Sequence, residues 1–490
     1  MLPNDPQTVR QRFWAAYNSA SKLMAHWLGS LPEPQRQTYQ KFTLPSVSRL
    51  FVEGLTREKE VTQRQQQVRK AETDAVVPRF AAIRAEAHFR YNRIARLRRA
   101  YHEALRTLSG KGRDFPVTFS YEEGGDRELG VPTHERLWFR IWDRRSFVQA
   151  HAEAYSRSPV VSSRCRTAAY ADDSNHLFLE FVRGERLIGD APPEGLWFEE
   201  LLKLGVFGLN PFVGSREDVK AKQAWLASWG YGHTPFLAEV GGLLTWPLTE
   251  GRFMVSAQPR TTGVLLPVEA IYAAATIGLL AVDLFTTTGA RINEVMQIRL
   301  TEDCIVRLKM SAPPGSKDPS PRIRVLRLVP KGAKANTPQD YFIGTETKRL
   351  LVRVAQMLGE HYQLQPGQIL PSVEFDAGNA RAHRFAKAPY LFQYAGRHLS
   401  ANTITSCMRF LLHGMVFKTR EGKLVVLKPH LLRHAFATHA VQVEIPVDVV
   451  GACCTRRISP SRITIQAHRE HGCRGFRSVL VASRRTGQRE

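Results

Sequence analysis

The stretch Lys428-Pro-His-Leu-Leu-Arg-His-Ala-Phe-Ala-Thr-His439 sets His430 and Arg433 three residues apart. On a helix opening just after Pro429, that spacing places both side chains on one face. Leu432, Ala435 and Phe436 lie on adjoining positions and can pack such a helix into a core. A cation and a titratable donor side by side, above an apolar anchor, suit the grip of a phosphate. The plainer alternative is one satisfied histidine and one solvated arginine. A second stretch, Thr287-Thr-Gly-Ala-Arg-Ile-Asn-Glu-Val-Met-Gln-Ile-Arg299, reads as a loop turning into a helix, with Thr288 as N-cap and Arg291 in the first turn. An arginine beside open backbone N–H groups makes an anion cradle. Its alternative is a surface arginine paired with Glu294, three residues on.

The elements that must hold these residues can be read outward from them. Pro267–Phe285 is a long apolar helix leading into the Arg291 segment. Its most apolar window, Ala270 to Val282, is bounded by Glu269 and Asp283, too short to span a bilayer, and reads as buried. Cys304-Ile-Val-Arg-Leu308 precedes a loop rich in Pro, Gly and Ser. Arg322-Ile-Arg-Val-Leu-Arg-Leu-Val329 then has the alternation of a half-buried strand. Lys331-Gly-Ala-Lys-Ala-Asn-Thr-Pro338 is turn chemistry, and Gln339–Ile343 can return as the partner strand.

Towards the N-terminus, Asp5 to Leu31 has helical spacing and Leu31-Pro-Glu-Pro34 ends it. Arg57 to Leu108 has a helix-forming composition divided at Pro78. Beyond that proline, Phe80, Ile83, Ala87, Tyr91, Ile94, Tyr101 and Leu105 recur near helical spacing. Arg90, Arg93, Arg96, Arg98 and Arg99 crowd the same segment, either as a phosphate-tracking stripe or as a salt-bridged face. From about 114 to 255, runs such as Leu137-Trp-Phe-Arg-Ile-Trp142 and Leu196-Trp-Phe-Glu-Glu-Leu-Leu202 read as core. Gly251 to Gly263 reads as a linker.

At 490 residues the chain can form two or three domains. A net charge of +24 points to a polyanionic partner, with nucleic acid ahead of an anionic membrane surface. No hydrophobic signal opens the chain. Six cysteines without framework spacing fit reduced thiols in the cytoplasm.

Together, Thr-Gly-Ala-Arg-x-x-Glu (288–294) and His-x-x-Arg-His-x-Phe-Ala-Thr-His (430–439) resemble the tyrosine recombinase (phage integrase) family, in its order and at about its spacing. The resemblance covers residues 262–452. It implies a mostly α fold with a small antiparallel β-sheet in the C-terminal unit. The chain then divides into an N-terminal helical region with a basic helix (1–112), a helical core-binding-like domain (114–255), a catalytic domain (262–452) and an aberrant basic tail (453–490). It further implies double-stranded DNA as partner, a homotetramer on paired sites and no membrane. Arg291 and Arg433 would grip a scissile phosphate and His430 would donate to it. Lys331, with Lys334 as fallback, would protonate the leaving 5′ oxygen. No metal or cofactor is called for, because the family stores the energy of the broken bond in a phosphotyrosine.

The nucleophile is missing from this pattern. No tyrosine follows Tyr394, and both Tyr390 and Tyr394 precede the His430 motif. Where the family has a Leu-Gly-His-like segment and then a tyrosine, the chain reads Gly451-Ala-Cys-Cys-Thr-Arg-Arg-Ile-Ser-Pro460. Adjacent cysteines also fit poorly with a zinc site built from Cys453, Cys454, His468, His471 and Cys473. A frameshift near Ala452 would account for the tail, with a disordered basic segment as the alternative. Codons chosen to fit Cys453 to Gln466, read one base earlier, encode histidine at the position of Thr455 and tyrosine at those of Thr464 and Ile465. The sequence thus points to a DNA-binding chain of recombinase type that does not cleave.

Overall fold

The computed structural model describes residues 7–48, 58–107, 115–126, 131–156, 177–189, 197–207, 215–228, 253–254, 257–309, 322–330, 338–365, 368–375 and 385–445. The described residues are predominantly helical with small antiparallel sheets. The chain divides into two compact units, Met1–Asp74 and Ala75–Glu490.

In the first unit, α1 (Gln7–Ser30) and α2 (Glu33–Tyr39) are separated at Pro32, as the prolines require. Trp14 and Asn18 of α1 donate to the Val47 carbonyl, at 2.7 and 3.1 Å. α3 (Glu58–Val76) ends in a short turn, Val77–Arg79, that carries Pro78.

The second unit is built around two helices, α4 (Phe80–Arg106) and the apolar helix Val268–Thr287 further on. The stripe Phe80, Ile83, Ala87, Tyr91, Ile94 and Tyr101 is buried, as its spacing predicts. Of the five arginines, Arg90, Arg93, Arg96 and Arg98 are ion-paired within the protein, while Arg99 is exposed. Arg90 and Arg93 are buried, paired with Glu86 and Glu123, and Arg98 bonds both Glu269 and Glu360 at 2.9 Å.

Between those helices, where the resemblance implies helices, the chain forms a sheet. β1 (Val117–Asp126), β2 (Val131–Asp143), β3 (Leu177–Arg186) and β4 (Val264–Leu266) are antiparallel in that order. The reason lies in β2. Glu135, Leu137, Phe139 and Ile141 are buried and alternate with the half-exposed Arg136, Trp138 and Arg140, a period of two that a helix cannot present to one core. Short helices α5 (Arg144–Ala150), α6 (Ala152–Ser156), α7 (Phe198–Lys203) and α8 (Arg216–Ser228) accompany the sheet. Where a linker was expected, Phe253, Met254, Ala257 and Gln258 are buried, and the chain runs directly into β4 against β3.

The apolar helix, α9 (Val268–Thr287), is two turns longer than its most apolar window. By length and composition it could cross a membrane, yet 89% of that stretch is buried inside the protein. It packs against α4 and against three later helices, α11 (Thr345–His361), α12 (Ala401–Leu411) and α13 (Pro429–Gln442). Asp283, buried on α9, accepts from Arg84 of α4 at 2.7 Å and from the Thr347 hydroxyl of α11 at 2.6 Å, tying three helices at one carboxylate. At the crossing with α12, a Cβ on Gly278 would overlap the Cys407 carbonyl, with its carbon only 2.9 Å away. Gly278→Ala should therefore cost about 1–3 kcal/mol through overpacking, read as a lower urea midpoint with unchanged slope.

The remaining elements are one-turn α10 (Ile292–Val295), the sheet β5 (Ile305–Lys309), β6 (Arg322–Leu328), β7 (Gln339–Ile343), and the hairpins β8 (Gln393–Tyr394) with β9 (Arg397–His398) and β10 (Phe417–Lys418) with β11 (Leu424–Val425). After α12, fully buried His413 has a pKa held well below its ordinary value, chiefly by burial, with Arg90 and Arg93 adding to the effect. Burial also lowers His88 and His361. These groups refuse protons that the unfolded chain accepts. Stability should be level above the ordinary histidine value of 6.5 and fall as pH drops below it, by up to about 1.4 kcal/mol per pH unit for His413 and by less for the partly solvated His88 and His361. Urea titrations across that range check the sign.

Candidate phosphate-binding site

The first element of the site is the turn out of α9. Thr288 closes that helix rather than opening the next. Its hydroxyl donates back to the Leu284 carbonyl at 2.6 Å and accepts from the Ala290 amide at 3.1 Å. Gly289 follows at φ +61°, a left-handed conformation that glycine adopts without a Cβ penalty. The chain is thereby turned so that Arg291, not Thr288, becomes the N-cap of α10.

Glu294 fixes Arg291 in place. One carboxylate oxygen accepts the Arg291 amide at 2.6 Å and the other accepts its guanidinium at 3.2 Å. The Arg291–Glu294 pair named as the plain alternative does form, but it is not a solvated surface pair. Glu294 is fully buried, while the Arg291 side chain is 31% exposed. Glu294 acts as the floor and Arg291 presents outward from it.

α13 supplies the second cation. It begins at Pro429, the first-turn position the sequence predicts, and Leu432 and Ala435 are buried with Phe436 packed against the same core. Arg433 and His430 then reverse the plain alternative. Arg433 is the buried one, with its guanidinium donating to the Gly289 carbonyl across 144 residues of sequence. His430 is exposed, with its Nε2 3.1 Å from Nε2 of His434.

Tyr341 of β7 belongs to the site and was not singled out from the sequence. It is buried, and its phenol is hydrogen-bonded to Glu294. Burial pushes its pKa upward and the Glu294 charge adds to this, while Arg433 and Arg291 both pull it down. Arg291, Glu294, Tyr341 and Arg433 thus share one electrostatic environment. Alternation along β7 marks Tyr341 as inward-facing, but only the fold puts that face beside Glu294. If the phenol braces the carboxylate, Tyr341→Phe should lower stability by about 1 kcal/mol and leave the fold's circular dichroism unchanged.

Gln297 is the other residue missed. Its amide donates to the Val329 carbonyl and accepts the Val329 amide, both at 2.9 Å. The end of β6 is therefore pinned beside the Arg291 segment. Lys331 and Lys334 come shortly after that pinned residue but lie outside the described residues, as does the 453–490 tail with its zinc alternative. Among the described residues, no group of three or more His, Cys, Asp or Glu is placed to hold a metal ion.

Arg291 and Arg433 both act electrostatically on the Tyr341 phenol, which is bonded to the buried Glu294 carboxylate. Guanidiniums are the side chains suited to gripping an anion with paired acceptor oxygens, such as a phosphodiester. Comparison with protein-family models, with curated proteins and with solved structures found no match in any of the three.

Proposed function

We infer that this chain is a DNA-binding protein of the site-specific tyrosine recombinase type, gripping one backbone phosphate between Arg291 and Arg433 without cutting the strand. The observation that supports this reading is that both arginines act on one buried phenol, that of Tyr341. Arg433 is bonded to the backbone two residues before Arg291, and both act on the Tyr341 phenol that is bonded to Glu294. A phosphodiester in transfer spreads negative charge over its non-bridging oxygens, and preorganised donors aimed there usually supply the largest catalytic contribution. Arg291 and Arg433 are the donors, and His430 stands three residues before Arg433 on the same helix. Lys331, following the β6 end that Gln297 holds, is the general acid of this reading.

The covalent step needs a tyrosine that the chain does not place after His430. The grip is then retained and the cleavage lost. Such a chain would act as a binding or recombination-regulating protein, assembling with copies of itself on duplex DNA.

Gel shifts at several salt concentrations test the grip. Affinity for duplex DNA should fall steeply with salt. Arg291→Ala and Arg433→Ala should each weaken binding across sequences and reduce the salt slope by about 1. A slope left unchanged by both substitutions would remove the phosphate from this pocket. On a nicked duplex that traps phosphotyrosine, no adduct is expected, and an adduct would mean another residue is the nucleophile.

A further inference from the structure

The pair of exposed His430 and half-buried His434 has a geometry that the phosphate reading does not use. The two imidazoles lie one turn apart on α13, their ring centroids are 4.4 Å apart, and their Nε2 atoms are hydrogen-bonded at 3.1 Å, through a proton that a metal ion would replace. Histidines four apart on a helix share a face and can chelate one ion. Metal–imidazole bonds of about 2.0–2.1 Å spanning the 3.1 Å separation enclose an angle of about 98°, between octahedral and tetrahedral values. Imidazole nitrogen suits nickel, copper and zinc ions rather than magnesium or calcium, which prefer oxygen. Arg433, the nearest cation in sequence, is buried and donates to the Gly289 carbonyl.

We propose that His430 and His434 form a two-histidine binding site for a divalent transition-metal ion, with water completing its coordination. The site itself does not rest on the recombinase reading. Its consequence does, because a metal on His430 takes away a donor assigned to the phosphate and so weakens DNA binding.

Two measurements on the full chain test this with Ni²⁺ as the probe. Calorimetric titration should reveal a site that His434→Ala and His434→Gln each weaken by about a hundredfold, the chelate gain from a second tethered ligand. The affinity should also fall as pH is lowered, because protons compete for the imidazoles. His439→Ala, on the same helix, should leave the site intact. Histidine acylation mapped by mass spectrometry should show Ni²⁺ protecting His430 and His434 together. Equal labelling with and without Ni²⁺, or equal titrations of wild type and both His434 variants, would overturn the site. Joint protection with undiminished DNA affinity would keep the metal site and take His430 out of the phosphate grip.

Discussion

Glu294→Ala should lower stability by about 2–6 kcal/mol and release Arg291 from its place, because two donors lose their buried acceptor. Glu294 has no solvent to replace its interactions, since it is fully buried and accepts from the Arg291 amide, the Arg291 guanidinium and the Tyr341 phenol. Its removal leaves an amide and a phenol without acceptors in the interior, each costing about 1–3 kcal/mol. Glu294→Gln separates charge from shape. The glutamine fills the space but turns an NH₂ donor towards groups that are themselves donors. A loss at least half that of the alanine variant is the expected result. Urea denaturation gives the energies, and the DNA salt slope reads whether Arg291 has lost its aim. Wild-type stability in both variants would mean that Glu294 is not the floor of this pocket.

The second large effect belongs to the sheet. Arg93 of α4 and Glu123 of β1, 2% and 1% exposed, meet at 2.6 Å, and the Tyr121 phenol donates to the other Glu123 oxygen at 2.6 Å. Arg96 approaches the same carboxylate at 3.7 Å. Glu123→Ala would take the carboxylate from a buried guanidinium that keeps its contacts over the Phe89 and Phe198 rings, and is expected to cost about 3–5 kcal/mol. Replacing both partners by apolar residues, Arg93→Met with Glu123→Leu, removes the buried charge and should recover most of that loss. Stability that falls additively in the double variant would show that the pair is not coupled. The Tyr121 hydroxyl has its pKa pushed well up, first by burial and then by the Glu123 charge, so it stays a neutral donor to that carboxylate.

The sequence made part of this architecture legible. Helical spacing was readable at Phe80–Tyr101 and at Leu432–Ala435, because one-sided burial leaves a periodic trace. Pro429 and Pro78 marked a helix start and a helix break through their missing N–H groups. The sheet from Val117 to Arg186 was hidden by expecting helices there, although Leu137, Phe139 and Ile141 alternate plainly. In the site, Arg291, His430 and Arg433 could be named, but their burial order could not. Whether an arginine or its helical neighbour turns inward depends on the element packed against it, here the Gly289 turn. Tyr341 and Gln297 left no local signal, since each matters only through a partner distant in sequence, Glu294 for one and Val329 for the other. The arginines of α4 carry a related lesson. A stripe of positive charge looks the same in sequence whether its counterions are phosphates or the protein's own glutamates.

The partner of Arg433 is a main-chain oxygen. A side-chain partner can be deleted by one codon change, but every residue at position 289 brings a carbonyl. What must be inherited is the path of the backbone through the bend after Thr288, and a glycine at φ +61° is the simplest way to keep it. The anchoring of this cation is therefore encoded as a contour, and neighbouring loop residues can drift in identity for as long as the contour survives.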